Sequence, residues 1–258
     1  MKIAIIGAGA FGTALGGILA NNGYDIDYYD SKLEREKLSE TLKGSGYVVL
    51  CVPSKVVPYL VSHLPKDKPL IVATKGILSD KTFADFRDLM ILSGPGFASE
   101  IKLKKKAKLT VTDKRVAELF KADYLDFDFT DDKLGVLMCG ALKNVYAIYA
   151  GILGLERETK AWREFIRGAS EEMQALLSTN GARAETVNLA CGIEDLKLTC
   201  GLPSRNYEYG QILSKNPDAK PEKTVEGLTA LAKIKRGEIK VPEGLKILEE
   251  LMRRIEWD

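Results

Sequence analysis

Apolar and polar positions along the 258-residue chain change rhythm near its middle. In the first half, short apolar runs alternate with stretches of helical spacing. Lys2–Ile6 is an apolar run that stops at Gly7, which predicts a buried strand. A helix of small residues follows to about Asn22, and Gly23 closes it, as glycine commonly closes helices. Asp25–Tyr29 alternates into a second strand that ends at Asp30. The charged stretch Lys32–Lys43 predicts an exposed helix, Tyr47–Val52 a third strand stopped by Pro53, and Val56–Leu64 a further helix. Leu70–Ala73 and Met90–Ser93 predict a fourth and a fifth strand. Strands that alternate with helices imply an α/β fold, a doubly wound parallel sheet with helices on its faces.

From about Leu134 the strand rhythm stops. Leu134–Leu155 is a long apolar-rich stretch, and Arg163–Thr179, Thr224–Lys235 and Gly244–Ile255 have helical spacing. The tail Glu249–Asp258 reads as an amphipathic helix ending near Trp257. The second half is therefore expected to be mostly α-helical. Thr130-Asp131-Asp132 is a short polar stop able to cap the helix after it. It divides the chain into an expected first domain, residues 1–130, and a helical domain, residues 131–258. At about 150 residues per domain, the length itself fits one large domain or two modest ones.

Composition narrows the function classes. Hydrophobic residues make up 45% and charged residues 29%, which excludes disorder and low-complexity stalks. Lys+Arg minus Asp+Glu is 38 − 36 = +2, which argues against a dedicated nucleic-acid binder. Cys51, Cys139, Cys191 and Cys200 form no C-x-x-C pair and lie far from the single histidine, His63, so no metal site is expected. No uninterrupted apolar run approaches the length of a membrane span. The apolar N-terminal run is broken by five glycines, which fits a nucleotide-binding turn better than a secretory signal and leads to an expected cytoplasmic location.

The glycines of that run are spaced for chemistry. In Gly7-Ala8-Gly9-Ala10-Phe11-Gly12, Gly7 permits a tight turn, Gly9 lets the backbone approach a pyrophosphate, and Gly12 lets the helix pack close to the strand. The following helix offers its N–H groups and positive dipole end to phosphates. Asp30 ends the second strand, where a carboxylate accepts hydrogen bonds from a ribose and repels a 2′-phosphate. NAD is therefore the expected cofactor, with NADP possible, and Asp30 also suits a helix cap. Val52-Pro53-Ser54, Ala73-Thr74-Lys75-Gly76 and Ser93–Glu100, which holds Gly94, Gly96 and Ala98, follow the third, fourth and fifth strands. Ligands of doubly wound sheets bind at such carboxyl ends. Lys143 is the only basic residue in the apolar stretch Val136–Leu155, where a cation is costly unless paired or used. Arg205, between Ser204 and Asn206, suits bidentate contact with phosphate.

Together these segments resemble the NAD(P)-dependent glycerol-3-phosphate dehydrogenase family, from the N-terminal G-A-G-A-F-G-T-A-L to Val225-Glu226-Gly227. The most specific pieces are A-T-K-G-I (Ala73–Ile77), G-P-x-F-A-x-E (Gly94–Glu100), G-A-L-K-N-V (Gly140–Val145), D-L-x-L-T-C (Asp195–Cys200) and S-R-N (Ser204–Asn206). The resemblance implies a Rossmann domain followed by a helical domain, usually in a homodimer. It implies interconversion of dihydroxyacetone phosphate and sn-glycerol 3-phosphate, for phospholipid synthesis. Lys143 would then exchange the proton at the substrate C2 oxygen, with Lys75 and Asn144 positioning that end. Asp195 and Thr199 would support the lysine. Ser204, Arg205 and Asn206 would hold the phosphate, with Gly94 and Gly96 beside the substrate. Ala10, Phe11, Pro53, Lys75, Ala98, Arg205, Thr224 and Glu226 would meet the dinucleotide.

Three positions depart from the family pattern: Gly96 stands where serine is usual, Glu194 where glycine is usual, and Leu137 where glutamate is usual. The chain is also shorter than typical members. Two other readings stay open on the residues alone. One is a reductase of the β-hydroxyacid dehydrogenase or ketopantoate reductase type; the other is a non-catalytic dinucleotide-sensing protein. A-T-K-G-I and S-R-N favour a phosphate substrate. Lys75, Lys143, Asp195 and Arg205 favour an enzyme.

Overall fold

A computed structural model describes residues 1–30 and 35–255. Among the described residues seven strands form one sheet: β1 (Lys2–Ile6), β2 (Asp25–Tyr29), β3 (Ser45–Leu50), β4 (Leu70–Val72), β5 (Leu89–Ser93), β6 (Ala107–Val111) and β7 (Leu125–Phe129), in the order β2-β1-β3-β4-β5-β6-β7. The helices between them are α1 (Ala10–Asn21), α2 (Arg35–Leu42), α3 (Val57–Val61), α4 (Ala98–Lys102) and α5 (Lys114–Leu119). β1 lies between β2 and β3, with Ile6 opposite both Tyr29 and Leu50. Connections therefore diverge at the carboxyl end of β1, the switch point where doubly wound sheets bind ligands.

The sheet is parallel except at one place. β6 runs antiparallel to β5, with Leu92 opposite Val111 and Ser93 opposite Thr110. Neither β6 nor β7 was expected from the pattern. β6 follows a lysine-rich run, and β7 alternates Leu-Asp-Phe-Asp-Phe at the sheet edge with only one residue buried. Central strands are continuous and apolar because helices cover both faces. Ile3, Ile5, Val49, Ile71 and Met90 pack there with Leu15 and Leu19 of α1. The helix expected over Lys32–Lys43 is α2, but it is not exposed all round: Leu38, Thr41 and Leu42 are buried, and residues 31–34 of that stretch lie outside the described residues.

By internal contacts the chain divides into two units. The first is Met1–Thr74 with Asp80–Lys133, and the second is Lys75–Ser79 with Leu134–Asp258. The second contains α6 (Lys133–Ile152), α7 (Lys160–Thr179), α8 (Asp195–Thr199), α9 (Arg205–Lys215), α10 (Glu226–Lys235) and α11 (Lys246–Arg254). The expected helix ends shift by a few residues. Thr159 starts α7 earlier than periodicity indicates, because its side chain accepts from Trp162 N and caps the first turn. α11 ends at Arg254, and Trp257 lies outside the described residues.

α6 is the central element of this unit. Among the described residues it is the one helix long and apolar enough to cross a membrane, yet 94% of its apolar window is buried inside the protein. Its neighbours approach closely: a Cβ on Gly210 of α9 would stand 2.0 Å from the Ile148 carbonyl oxygen. A buried carboxylate fastens the other side. Glu172 of α7 accepts from the Tyr146 hydroxyl of α6 at 3.0 Å, and from the backbone N–H groups of Ile247 and Leu248 at 2.7 and 3.0 Å. It thus caps the first turn of α11 from another helix. Burial raises the Glu172 carboxyl above its ordinary range, and the backbone donors oppose that rise.

Glu172→Ala leaves three donors without their acceptor. The urea midpoint is expected to fall by the equivalent of about 1–3 kcal/mol, and Glu172→Gln, which keeps an acceptor oxygen, is expected to lose less. A wild-type midpoint for Glu172→Ala would contradict the capping role.

Candidate active site

The glycine turn begins with backbone sterics. Gly7 has φ +108°, and a Cβ there would lie 2.5 Å from the Cys51 carbonyl oxygen. A Cβ on Gly12 would lie 2.0 Å from the Gly7 carbonyl oxygen, so only glycine lets α1 leave β1 at this distance. Gly9 differs: a Cβ there meets no heavy atom within 4 Å. Its exposed backbone borders open space at the N-terminus of α1, where first-turn N–H groups lack intrahelical acceptors. No acidic side chain occupies that first turn. Asp30 is half-buried after β2, and its carboxylate accepts from Ala8 N at 3.3 Å. These residues fit a dinucleotide: Gly9 and the α1 N-terminus would hold a pyrophosphate, and Asp30 a ribose. Ala10 is exposed, and Phe11 packs partly against the core. Exposed Pro53 follows β3; Gly94, Gly96 and Ala98 follow β5.

The second unit holds a lysine–carboxylate centre. Lys143 projects from α6 and is 3% exposed, and Asp195, the first residue of α8, is 1% exposed. Lys143 Nζ donates to Asp195 Oδ1 at 2.5 Å and to Thr199 Oγ1 at 2.9 Å. Lys75 Nζ donates to the other carboxylate oxygen, Oδ2, at 3.1 Å. Asp195 and Thr199 stand four apart on one turn, which puts both on the same helix face. Thr199 donates to the Asp195 backbone carbonyl at 2.6 Å, so its oxygen lone pairs are left for the ammonium. Burial pushes Lys143 down to about 7; Asp195 pulls it back up, and the Lys75 charge lowers it again. The chain enters α8 through one π-helical turn, Ala190–Glu194, in which a Cβ on Gly192 would meet the Val187 carbonyl oxygen at 2.1 Å. Neither the turn nor the brevity of α8 was expected, although Gly192 is its visible mark.

A chain of amides runs beside this centre. Gly227 N donates to Asn206 Oδ1 at 3.0 Å, Asn206 Nδ2 to Asn144 Oδ1 at 2.8 Å, and Asn144 Nδ2 to the Gly140 carbonyl at 3.0 Å. A backbone donor at one end and a backbone acceptor at the other fix the orientation of both side-chain amides. The backbone groups of Gly227 and Gly140 were not foreseen as members. Ser204 is the N-cap of α9, with exposed Arg205 as its first helical residue. Thr224 is half-buried, and Glu226 opens α10. Of the departures, Leu137 is buried on α6, Glu194 is exposed, and a Cβ on Gly96 would lie 3.3 Å from Ile101 Cδ1.

A doubly wound sheet with a glycine turn, followed by a helical unit with a buried lysine–carboxylate centre, defines an NAD(P)-dependent dehydrogenase. The family models sharpen this. The NAD-dependent glycerol-3-phosphate dehydrogenase N-terminus matches residues 28–118, and the C-terminus of that family matches residues 132–256. Glycerol-3-phosphate dehydrogenase [NAD(P)+] of Leptospira biflexa is 32% identical over 272 residues, covering 85% of this chain and 81% of its own length. The protein of that name from Oceanobacillus iheyensis is 29% identical, with 83% and 76% covered. The crystal structure of glycerol-3-phosphate dehydrogenase from Coxiella burnetii shares the fold at a TM-score of 0.81 and 23% identity, over 98% of this chain and 94% of that one. A ketopantoate reductase from Ralstonia eutropha shares it less closely, at 0.59 and 18% identity over 99% and 98% of the two chains. The chain belongs to the NAD-dependent glycerol-3-phosphate dehydrogenase family.

The sterics of the turn separate two glycines. Gly9→Ala is expected to keep the wild-type melting temperature and to bind NADH about tenfold or more weakly in a fluorescence titration. Gly12→Ala is expected to lose stability outright. Equal NADH affinity for Gly9→Ala and wild type would contradict the reading of Gly9.

Proposed function

We propose that this chain interconverts dihydroxyacetone phosphate and sn-glycerol 3-phosphate, with NAD(H) preferred over NADP(H). The observation that carries the proposal is the pair of lysines on one buried carboxylate: Lys143 and Lys75 bond opposite oxygens of Asp195. Bound NAD(P)H would supply the hydride. As the substrate carbonyl is reduced, negative charge develops on the C2 oxygen. Lys143 meets that charge and gives its proton there, with a pKa close to the working pH, where a general acid is most effective. Asp195 bonds both lysines and holds both in place. Lys75, about a quarter exposed, would approach the C2 oxygen of the substrate alongside Lys143. Asn144, locked by the amide chain, keeps one Nδ2 hydrogen for the substrate.

The phosphate end falls to the start of α9. The first turn of α9 carries Arg205 beside Glu208, and an arginine at that end opposes the helix dipole while an anion there is favoured. A phosphate there satisfies both the guanidinium of Arg205 and the free N–H groups. This supports a phosphorylated substrate over the keto acid expected of a ketopantoate-type reductase. Asp30 supports NAD, since a 2′-phosphate beside its carboxylate is repelled. By resemblance alone we also assign a homodimer, a cytoplasmic location and a product used in phospholipid synthesis.

Purified protein is expected to oxidise NADH with dihydroxyacetone phosphate and to leave unphosphorylated 2-keto acids untouched. Lys143→Ala is expected to lower kcat by about 10²–10⁴-fold with NADH binding retained. Arg205→Ala is expected to raise KM for the phosphate substrate. The sign of the pH effect follows from the acid's role. Reduction falls as pH rises through the Lys143 pKa, and oxidation of glycerol 3-phosphate rises over the same range. Turnover of a keto acid alone would overturn the proposal.

A further inference from the structure

We infer that Trp162 and Arg157 are positioning residues for the proton-transfer centre. They hold the two backbone carbonyls that flank Thr199. The inference rests on the reading of Lys143 as the acid. α8 is a single turn, and the carbonyls at its C-terminal end have no intrahelical partner. Two side chains from outside α8 supply donors. The indole N–H of Trp162, buried in the first turn of α7, donates to the Cys200 carbonyl at 2.7 Å. The guanidinium of Arg157 donates to the Leu198 carbonyl and lies against Gly201, where a Cβ would stand 2.3 Å from Arg157 Nε.

The segment that carries Arg157 is itself held. The Tyr207 hydroxyl of α9 donates to the Leu155 carbonyl at 2.7 Å, and Thr159 caps α7 on the far side. Between them Glu158 has φ +66°, a conformation a glutamate adopts only when its surroundings impose it. The connection from α6 to α7 is thus bent onto the end of α8. Its consequence reaches Lys143 through one hydroxyl. Thr199 spends its hydrogen on the Asp195 carbonyl and accepts from Lys143 only while α8 stays wound. Loosening the Leu198 and Cys200 carbonyls frees that turn. The ammonium then loses an acceptor, its charged form is less favoured, and its pKa falls.

Trp162→Phe and Arg157→Met are made in the full chain, alone and with Thr199→Val. Arg157 is exposed, so Arg157→Met keeps the fold even if Trp162→Phe does not. Each single variant is expected to lower kcat for dihydroxyacetone phosphate reduction by about two- to tenfold, the range of one net hydrogen bond. KM is expected to stay unchanged, and the fall of rate with pH is expected to begin at lower pH. Arg157→Lys, which keeps a donor, is expected to recover most of the loss. In the Thr199→Val background neither substitution is expected to add a further effect. Additive losses in that background, or an unmoved pH limb in Arg157→Met, would overturn the positioning role. A wild-type protein without turnover would instead overturn the reading of function, and this role with it.

Discussion

Asp195 is a buried carboxylate with an ammonium group on each oxygen, and the helical unit is organised around keeping it so. A charge removed from water costs several kcal/mol unless partners replace the lost hydration, and removing one member of a buried pair leaves the other exposed to the full cost. Lys143 enters an apolar helix buried on nearly all sides, so it depends on Asp195 and Thr199. Asp195 in turn depends on both lysines. With Lys143 protonated, one carboxylate faces two ammoniums, and the excess positive charge makes the Lys143 proton easier to give up. In the proposed reaction, that centre would meet an oxygen that becomes negative during carbonyl reduction.

The surrounding structure supplies this centre through helix ends. α8 contributes Asp195 and Thr199 from one turn. α9, capped by Ser204, carries Asn206 into the amide chain. α10 begins at Glu226 and sends the Gly227 N–H into the amide chain that fixes Asn206 and Asn144. Glu172 does comparable work away from the centre by capping α11. Close approach makes the network possible: a Cβ on Gly227 would stand 2.4 Å from the Asn144 carbonyl oxygen.

Much of the first unit was legible along the chain, because β1, the glycine turn and α1 combine an apolar run, fixed glycine spacing and a helical pattern within about twenty residues. Lys143 was legible for a different reason: a lone cation in an apolar helix is costly enough to need a purpose. Its partner was not. Asp195 lies 52 residues from Lys143 and 120 from Lys75, and no local pattern joins them. Family resemblance supplied those roles where spacing could not. β7 alternates as an edge strand should, but two aspartates in five residues leave no apolar run to mark it. α8 is too short for periodicity to reveal, and the amide chain draws on backbone groups that carry no residue signature.

The central claim is that burial and Lys75 together make Lys143 an acid poised near neutral pH. Titrating Lys143 directly, by NMR of the protein with labelled lysine side chains assigned through Lys143→Arg, tests it without any substrate. Lys143 is expected to titrate well below the other lysines. In Lys75→Met its pKa is expected to rise, because a repelling charge is gone and Asp195 serves it alone. A Lys143 that titrates with the surface lysines, and does not respond to Lys75→Met, would contradict the account.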